Sequence, residues 1–190
     1  MATPSDNGVF RTAAFQVPLR LGPAPGWRVR AEQPRKVEFV LDSDPRPGVL
    51  TFLMPTGVYD PARRYGNADA AEAGLESLPP SLDAWLHAHP RLIASPSTPV
   101  MRSGLNGITT TVSVTGGDPF ADVSVCDAGC ALLFSYGPHT RWFLGQGNGN
   151  RVEIFDFRGQ PLVISIETPA SNLETFEREV DALLATLQFG

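Results

Sequence analysis

Two apolar runs near the C-terminal end decide the fold: Arg151-Val152-Glu153-Ile154-Phe155-Asp156-Phe157 and Leu162-Val163-Ile164-Ser165-Ile166-Glu167-Thr168. Both are rich in β-branched and aromatic residues, the types that fit a pleated, half-buried surface. Between them stands Arg158-Gly159-Gln160, whose glycine can take the positive φ of a tight turn. The pair therefore reads as a hairpin. Side chains alternate across a strand, so Leu162, Ile164 and Ile166 share one face and Val163, Ser165 and Glu167 the other. By the same rule Phe155 and Phe157 share a face with Arg151 and Glu153, opposite Val152 and Ile154. A helix must cover that aromatic face, or else it lines an apolar cavity with a few polar groups.

Outward from the hairpin, further short strands are expected at Ala13–Val17, Trp27–Arg30, Val37–Leu41, Val49–Met54, Pro99–Arg102, Gly107–Thr115, Ala131–Ser135 and Arg141–Leu144. In Ile108-Thr109-Thr110-Thr111-Val112-Ser113-Val114 apolar side chains alternate with hydroxyls, so one face packs and one is wet. Two helices stand out. Ser81 is a natural N-cap for Leu82–His89, which Pro90 ends, and Leu82, Trp85, Leu86 and His89 fall on one side. From about 172 to 187, capped by Ser171 or Asn172, the apolar Leu173, Phe176, Val180, Leu183, Leu184 and Leu187 follow the 3.6-residue period of an amphipathic helix. The segment Tyr59–Pro80 reads as loop with a weak helix in Ala68–Leu78. Hairpin-length connections make the sheet mainly antiparallel, and helices kept apart from the strands define an α+β class. The 190 residues are expected to form one domain, with residues 1–10 as a flexible tail.

Composition excludes several functions. The formal net charge is −5, and of the 15 basic residues only Lys36 is a lysine. No basic cluster stands ready for phosphates, so nucleic acid is not an expected partner. No apolar run approaches the roughly 18 residues of a membrane span. With Met1 as the native start and no apolar signal segment behind it, the expected location is cytoplasmic; a chain trimmed of an export signal would read the same.

Both cysteines lie in Val125-Cys126-Asp127-Ala128-Gly129-Cys130. Structural zinc needs four ligands, and this spacing lacks a second pair. A redox dithiol wants two intervening residues at the start of a helix. Here the flanks, Val123–Val125 and Ala131–Phe134, are strand-like, and Asp127-Ala128-Gly129 suits a turn with Gly129 in the left-handed region. Cysteines bracketing such a turn sit within disulfide range, bridged in an oxidising compartment and reduced in a cytoplasm. No metal and no cofactor is expected. Gly145-Gln146-Gly147-Asn148-Gly149-Asn150 misses the spacing of nucleotide-binding loops and reads as a flexible turn. Asp118, Asp122 and Asp127 lack the closing glutamate of a calcium loop and read as a solvated loop.

Candidate site residues come from two loops and the aromatic face. His139, in Tyr136-Gly137-Pro138-His139-Thr140-Arg141, is the one histidine on a loop that a site could use; His89 reads as packed and His87 as wet. Tyr59–Pro80 is too long for an ordinary connection. Ligand binding is therefore expected at Tyr59, Tyr65, His139, Arg141, Trp142, Phe155 and Phe157, and His139, Tyr59 and Arg141 are the candidates for any catalysis.

Several motifs together resemble a known group. They are Phe15-Gln16-Val17-Pro18 leading to Pro25-Gly26-Trp27, the Leu82/Trp85/Leu86 helix before His89-Pro90, the hairpin Arg151–Ile166, and a closing helix followed by Leu187-Gln188-Phe189. The pattern is similar to the PsbP-like α/β/α sandwich and to actinobacterial lipoproteins of the LpqN type, whose export signal and lipobox this sequence lacks. The resemblance implies a twisted antiparallel sheet covered by helices, no catalytic residues, and action by binding. The leading expectation is a non-catalytic binding module for a protein partner or an apolar small molecule. Its rival is a cofactor-independent cyclase or isomerase of secondary metabolism.

Overall fold

A computed structural model describes residues 8–41, 48–65, 73–117 and 129–190. Its centre is the expected hairpin. Strand β13 (Asn148–Phe157) pairs in unbroken antiparallel register with β14 (Gln160–Pro169), from Asn148 opposite Pro169 to Phe157 opposite Gln160. Arg158 and Gly159, with φ of 56° and 79°, make the turn, and Asp156 Oδ1 accepts from the Gly159 N–H. On one side of this hairpin follow β5 (Val49–Leu53), β4 (Lys36–Leu41) and β3 (Trp27–Gln33). On the other side lies β10 (Leu105–Val114), whose far edge is shared by β9 (Thr98–Arg102) and β8 (Leu92–Ala94). These eight strands are antiparallel throughout.

One face is covered by the C-terminal helix α2 (Leu173–Leu184), with Phe176, Val180, Leu183 and Leu184 buried against Phe52, Phe155, Leu162, Ile164 and Ile166. A Cβ on Gly48 would run into the Phe176 ring, so a glycine there lets the helix lie close. Asn172 precedes α2 without a side-chain cap, because a 3-10 turn, Ala170–Asn172, leads into it. Beside α2 sits a small sheet of β1 (Phe10–Arg11), β2 (Leu19–Leu21) and β15 (Gln188–Phe189). Phe10, expected in a tail, is buried edge-on to Phe39 with centroids 5.5 Å apart.

The expected strand at Ala13–Val17 is not formed. The N–H groups of Ala13, Ala14 and Phe15 converge on Glu32 Oε1 at 2.6, 2.8 and 3.3 Å, and a charged acceptor for three donors wins over a ladder.

The opposite face carries a four-stranded sheet of β12 (Trp142–Gly145), β11 (Cys130–Ser135), β6 (Gly57–Tyr59) and β7 (Leu75–Glu76), together with helix α1 (Leu82–Ala88). Ser81 caps α1 as expected, its Oγ accepting from the Ala84 N–H at 3.2 Å. Leu75–Glu76 is strand, Ala73–Gly74 is a turn and 77–78 is not helical, where a weak helix over Ala68–Leu78 was expected; 68–72 fall outside the described residues. The supposed flexible turn at 145–150 is a tight turn at Gln146-Gly147, with Gly147 at φ 87°, by which the chain passes from β12 of the small sheet to β13 of the large one. Cys130 is disulfide-bonded and Gly129 has φ 105°; Cys126 and the flank at 123–125 lie outside the described residues. Among the described residues no helix is long and apolar enough to cross a membrane.

Candidate functional site

The expected site residues are divided by the large sheet. Phe155 and Phe157 lie in the core under α2, so helix cover, not a cavity, explains their face. Arg151 and Glu153 on that face are also occupied. Arg102 grips Glu153 through Nε–Oε2 at 2.9 Å and Nη2–Oε1 at 2.6 Å, and Asp181 of α2 accepts from both Arg102 and Arg151 at 2.7 Å. Trp142 is on the other side, buried and stacked on Phe134 with rings 5.3 Å apart and near parallel. The large sheet thus separates Phe155 and Phe157 from Trp142, and the structure does not bring the three together.

Tyr59 and Tyr65 are likewise structural. Both are buried and meet edge-on at 5.9 Å, in a small cluster with Cys130 and Leu132. The Tyr59 hydroxyl donates to the Thr140 carbonyl at 3.2 Å and the Tyr65 hydroxyl to the Asp60 carbonyl at 3.0 Å. Burial first, and Asp60 second, push the Tyr65 phenol up to about 12, so it stays protonated. Tyr59 thus ties β6 to the 136–141 loop through Thr140.

His139 and Arg141 do reach open space. A cavity of about 320 Å³ is lined by Gln33, Leu132, Tyr136, His139, Thr140, Arg141 and Phe143. His139 holds φ 55° in the turn that Thr140 closes, its Oγ1 donating to the Gly137 carbonyl at 2.8 Å. Arg141 and Phe143 also line a larger cleft of about 580 Å³, which the sequence did not disclose. The four-stranded sheet stops short of the β3 edge of the large sheet. The uncovered part of that face forms the floor of this cleft, and Arg141, Trp142 and Phe143 line it from β12 and the residue before it.

The floor is charged. Glu38 of β4 accepts from Arg30 Nε and from Lys36 Nζ, each at 3.1 Å. Burial pushes the Glu38 carboxyl up, but Lys36 and then Arg30 outweigh it and hold the carboxyl below its ordinary range. Lys36 also stands 5.1 Å above the Tyr136 ring. Val49 and Thr51 of β5 lie beside Glu38 on this face, and Glu167 of β14 lies opposite Val49. Glu167 Oε1 accepts from Asn148 Nδ2 at 2.6 Å and from the Gly145 N–H at 3.3 Å. Burial pushes this carboxyl up, and the two hydrogen bonds only partly restrain it.

Arg141 is the group left over. Its Nη1 is buried without a hydrogen-bond partner among the described residues, and no carboxylate pairs with it there. Arg30, Lys36 and Arg141 thus face Glu38 and Glu167, an excess of one positive charge in a chain whose net charge is −5. Arg30, Lys36, Glu38 and Glu167 were not singled out from sequence; alternation puts Lys36 with Glu38 on one face of β4, but not what lies above them.

No family model matches the sequence, and no curated protein does. Two solved structures are similar to it in overall fold. LpqN of Mycobacterium tuberculosis, described as involved in cell envelope biogenesis, is 13% identical over 97% of this chain and 92% of its own, with a TM-score of 0.42. CyanoP, the cyanobacterial PsbP of Synechocystis sp. PCC 6803, is 11% identical over 100% of this chain and 97% of its own, with a TM-score of 0.46. At such identity the likeness concerns the fold alone.

Proposed function

We propose that the protein is a binding module and that its ligand is a small molecule seated in the cleft above β3, β4, β5 and β14. The observation that carries this reading is the cleft itself. It is concave, its volume of about 580 Å³ lies in the range of small-molecule sites, and it sets a few charged groups against the aromatic Trp142 and Phe143. A protein partner is the weaker form of the reading, since a protein docks on a broad patch rather than into a recess of this size. The expected apolar small molecule is likewise modified, because the floor offers charges and hydrogen bonds as well as apolar walls.

The test is a fragment screen followed by amide chemical shifts. Bound fragments should move the amides of 30–38 and 141–148, and Val49→Trp, which fills the cleft from its floor, should abolish those shifts while the protein stays folded. Shifts that map elsewhere, or that survive Val49→Trp, would remove the cleft from consideration.

A catalytic reading has one observation in its favour. Glu167 lines the cleft and burial raises its carboxyl's pKa, a combination that recurs in groups that transfer protons in catalysis. Glu167→Gln keeps the shape and the contact with Asn148. Retained affinity with lost turnover of the bound compound would make the protein an enzyme; retained affinity with no turnover in either form leaves it a binding module.

A further inference from the structure

Granting that the cleft is the ligand site, we infer that its ligand is an organic acid, with a carboxylate on the Arg141 guanidinium and an apolar body lying along Phe143 and Val49. Three observations converge on this. Arg141 lines the cleft with no carboxylate paired to it among the described residues, so the cleft presents a guanidinium charge that a ligand's carboxylate would balance. The other two cations are already engaged, since Arg30 and Lys36 share the single carboxylate of Glu38. They raise the local potential without competing for the ligand, and a recess walled by protein concentrates that potential. Finally, a planar guanidinium fork matches a carboxylate in two parallel hydrogen bonds, and among the described cleft residues Arg141 presents such a fork without a counter-ion.

The charge balance also selects against other classes. A cationic ligand would add to the excess positive charge around Arg141. A doubly charged phosphate would want several free donors, and among the described cleft residues Arg141 is the one cation without a counter-ion. Glu167 forms no ion pair with Arg141 among the described residues; its Oε1 accepts from Asn148 and Gly145. A hydroxyl or amide on the ligand could donate to that carboxyl, which favours an acid bearing a second polar group.

The experiment compares three probes of one shape: 4-phenylbutyrate, 4-phenylbutanol and 4-phenylbutylamine, titrated into the protein at pH 7 and followed by the amide shifts of 141–148. The butyrate should bind at least tenfold more tightly than the alcohol, and the amine should bind more weakly than either. Arg141→Met should bring the butyrate down to the level of the alcohol. Arg141→Lys, which keeps the charge and loses the fork, should keep part of the preference and shows that the loss in the methionine variant is not misfolding. If the alcohol or amine matches the butyrate while moving the same amides, the organic acid is wrong and the cleft stands. If none of the three moves those amides at millimolar concentration, the site reading and the ligand class fall together.

Discussion

Replacing Glu153 by alanine should destabilise the protein more than any other single change in its charged network. Glu153 is 0% exposed and sits between β13 and α2. It takes two hydrogen bonds from Arg102 and lies 3.3 Å from Arg151 Nη2. Removing it leaves two mostly buried guanidinium groups sharing Asp181, which is itself 43% exposed at the rim, with Glu177 at 3.8 Å. Breaking a buried pair from one side costs about 3–5 kcal/mol, because the stranded charge stays desolvated. Asp181 still neutralises part of that charge, so the lower end, about 3 kcal/mol, is expected. For a chain of this length that is a fall of roughly 6–12 °C in Tm. Asp181→Ala should cost about 1 kcal/mol or less, since its partners keep Glu153 and its own site is wet. Urea unfolding followed by tryptophan fluorescence measures both. The double change Arg102→Leu with Glu153→Leu should recover much of the loss, because it removes the charges together. If Glu153→Ala and Asp181→Ala prove equal within error, the network does not hold α2 to the sheet, and apolar burial beneath Phe176 and Val180 does so alone.

Other outcomes follow from single contacts. Trp85 is half-buried against Phe134 at 5.7 Å and His89 at 5.2 Å, so Trp85→Ala should cost about 2 kcal/mol in the same assay, below the range for a fully buried indole. His89 is buried with Nε2 unpartnered, and burial, then Arg91, lower its pKa from 6.5 to about 4. Because the folded value lies below the unfolded one, protonation favours the unfolded chain. This part of the stability is full above pH 6.5 and is lost as pH falls toward 4, at up to about 1.4 kcal/mol per unit. The stability of wild type measured relative to His89→Phe should therefore fall as pH goes from 7 to 5. Gly48→Ala should cost about 1–3 kcal/mol by pushing on the Phe176 ring, and compensation by Phe176→Leu would confirm that contact. Thiol titration of the unreduced, denatured protein should find no free thiol.

Much of the fold was legible because it is built from local rules. The 151–168 hairpin, the alternation in β10 and the 3.6-residue stripe of α2 each follow from a period that neighbouring residues state without help. Where the expectation failed, a long-range partner overrode the local pattern. Ala13–Val17 has strand composition, yet Glu32 nearly twenty residues later captures its N–H groups. Leu75–Glu76 is strand because β6 stands beside it, with Val58 opposite Glu76. Phe10 is buried because Phe39 offers it a ring, not because anything in 1–10 requires it.

The candidate site was legible only in part, and the reason lies in what a strand period can say. Alternation separates two faces, and it correctly set Phe155 and Phe157 apart from Val152. It does not say which face a second layer covers, or how far the cover extends. The cleft exists because β12, β11, β6 and β7 are short and overlie only part of the large sheet, and that extent depends on contacts far apart in sequence. Arg141 could be suspected from its loop, but its significance comes from a subtraction: Glu38 takes Arg30 and Lys36, Asn148 and Gly145 hold Glu167, and Arg141 is left over. Lys36 and Glu38 stand two apart on β4 and could be paired from sequence. The contacts of Arg30 with Glu38, and of Asn148 and Gly145 with Glu167, cross between strands, and what they leave over is not written in one segment. A charged floor on a buried sheet face is also expensive to maintain without purpose, since Leu or Val at Lys36 and Glu38 would pack against β12 and close the recess. Such a Lys36→Leu, Glu38→Val double substitution should leave the protein as stable as the wild type or more so, and should abolish fragment binding in the cleft. If stability instead falls by several kcal/mol, the charges hold the β3–β4–β5 edge together and the recess is a by-product of that task.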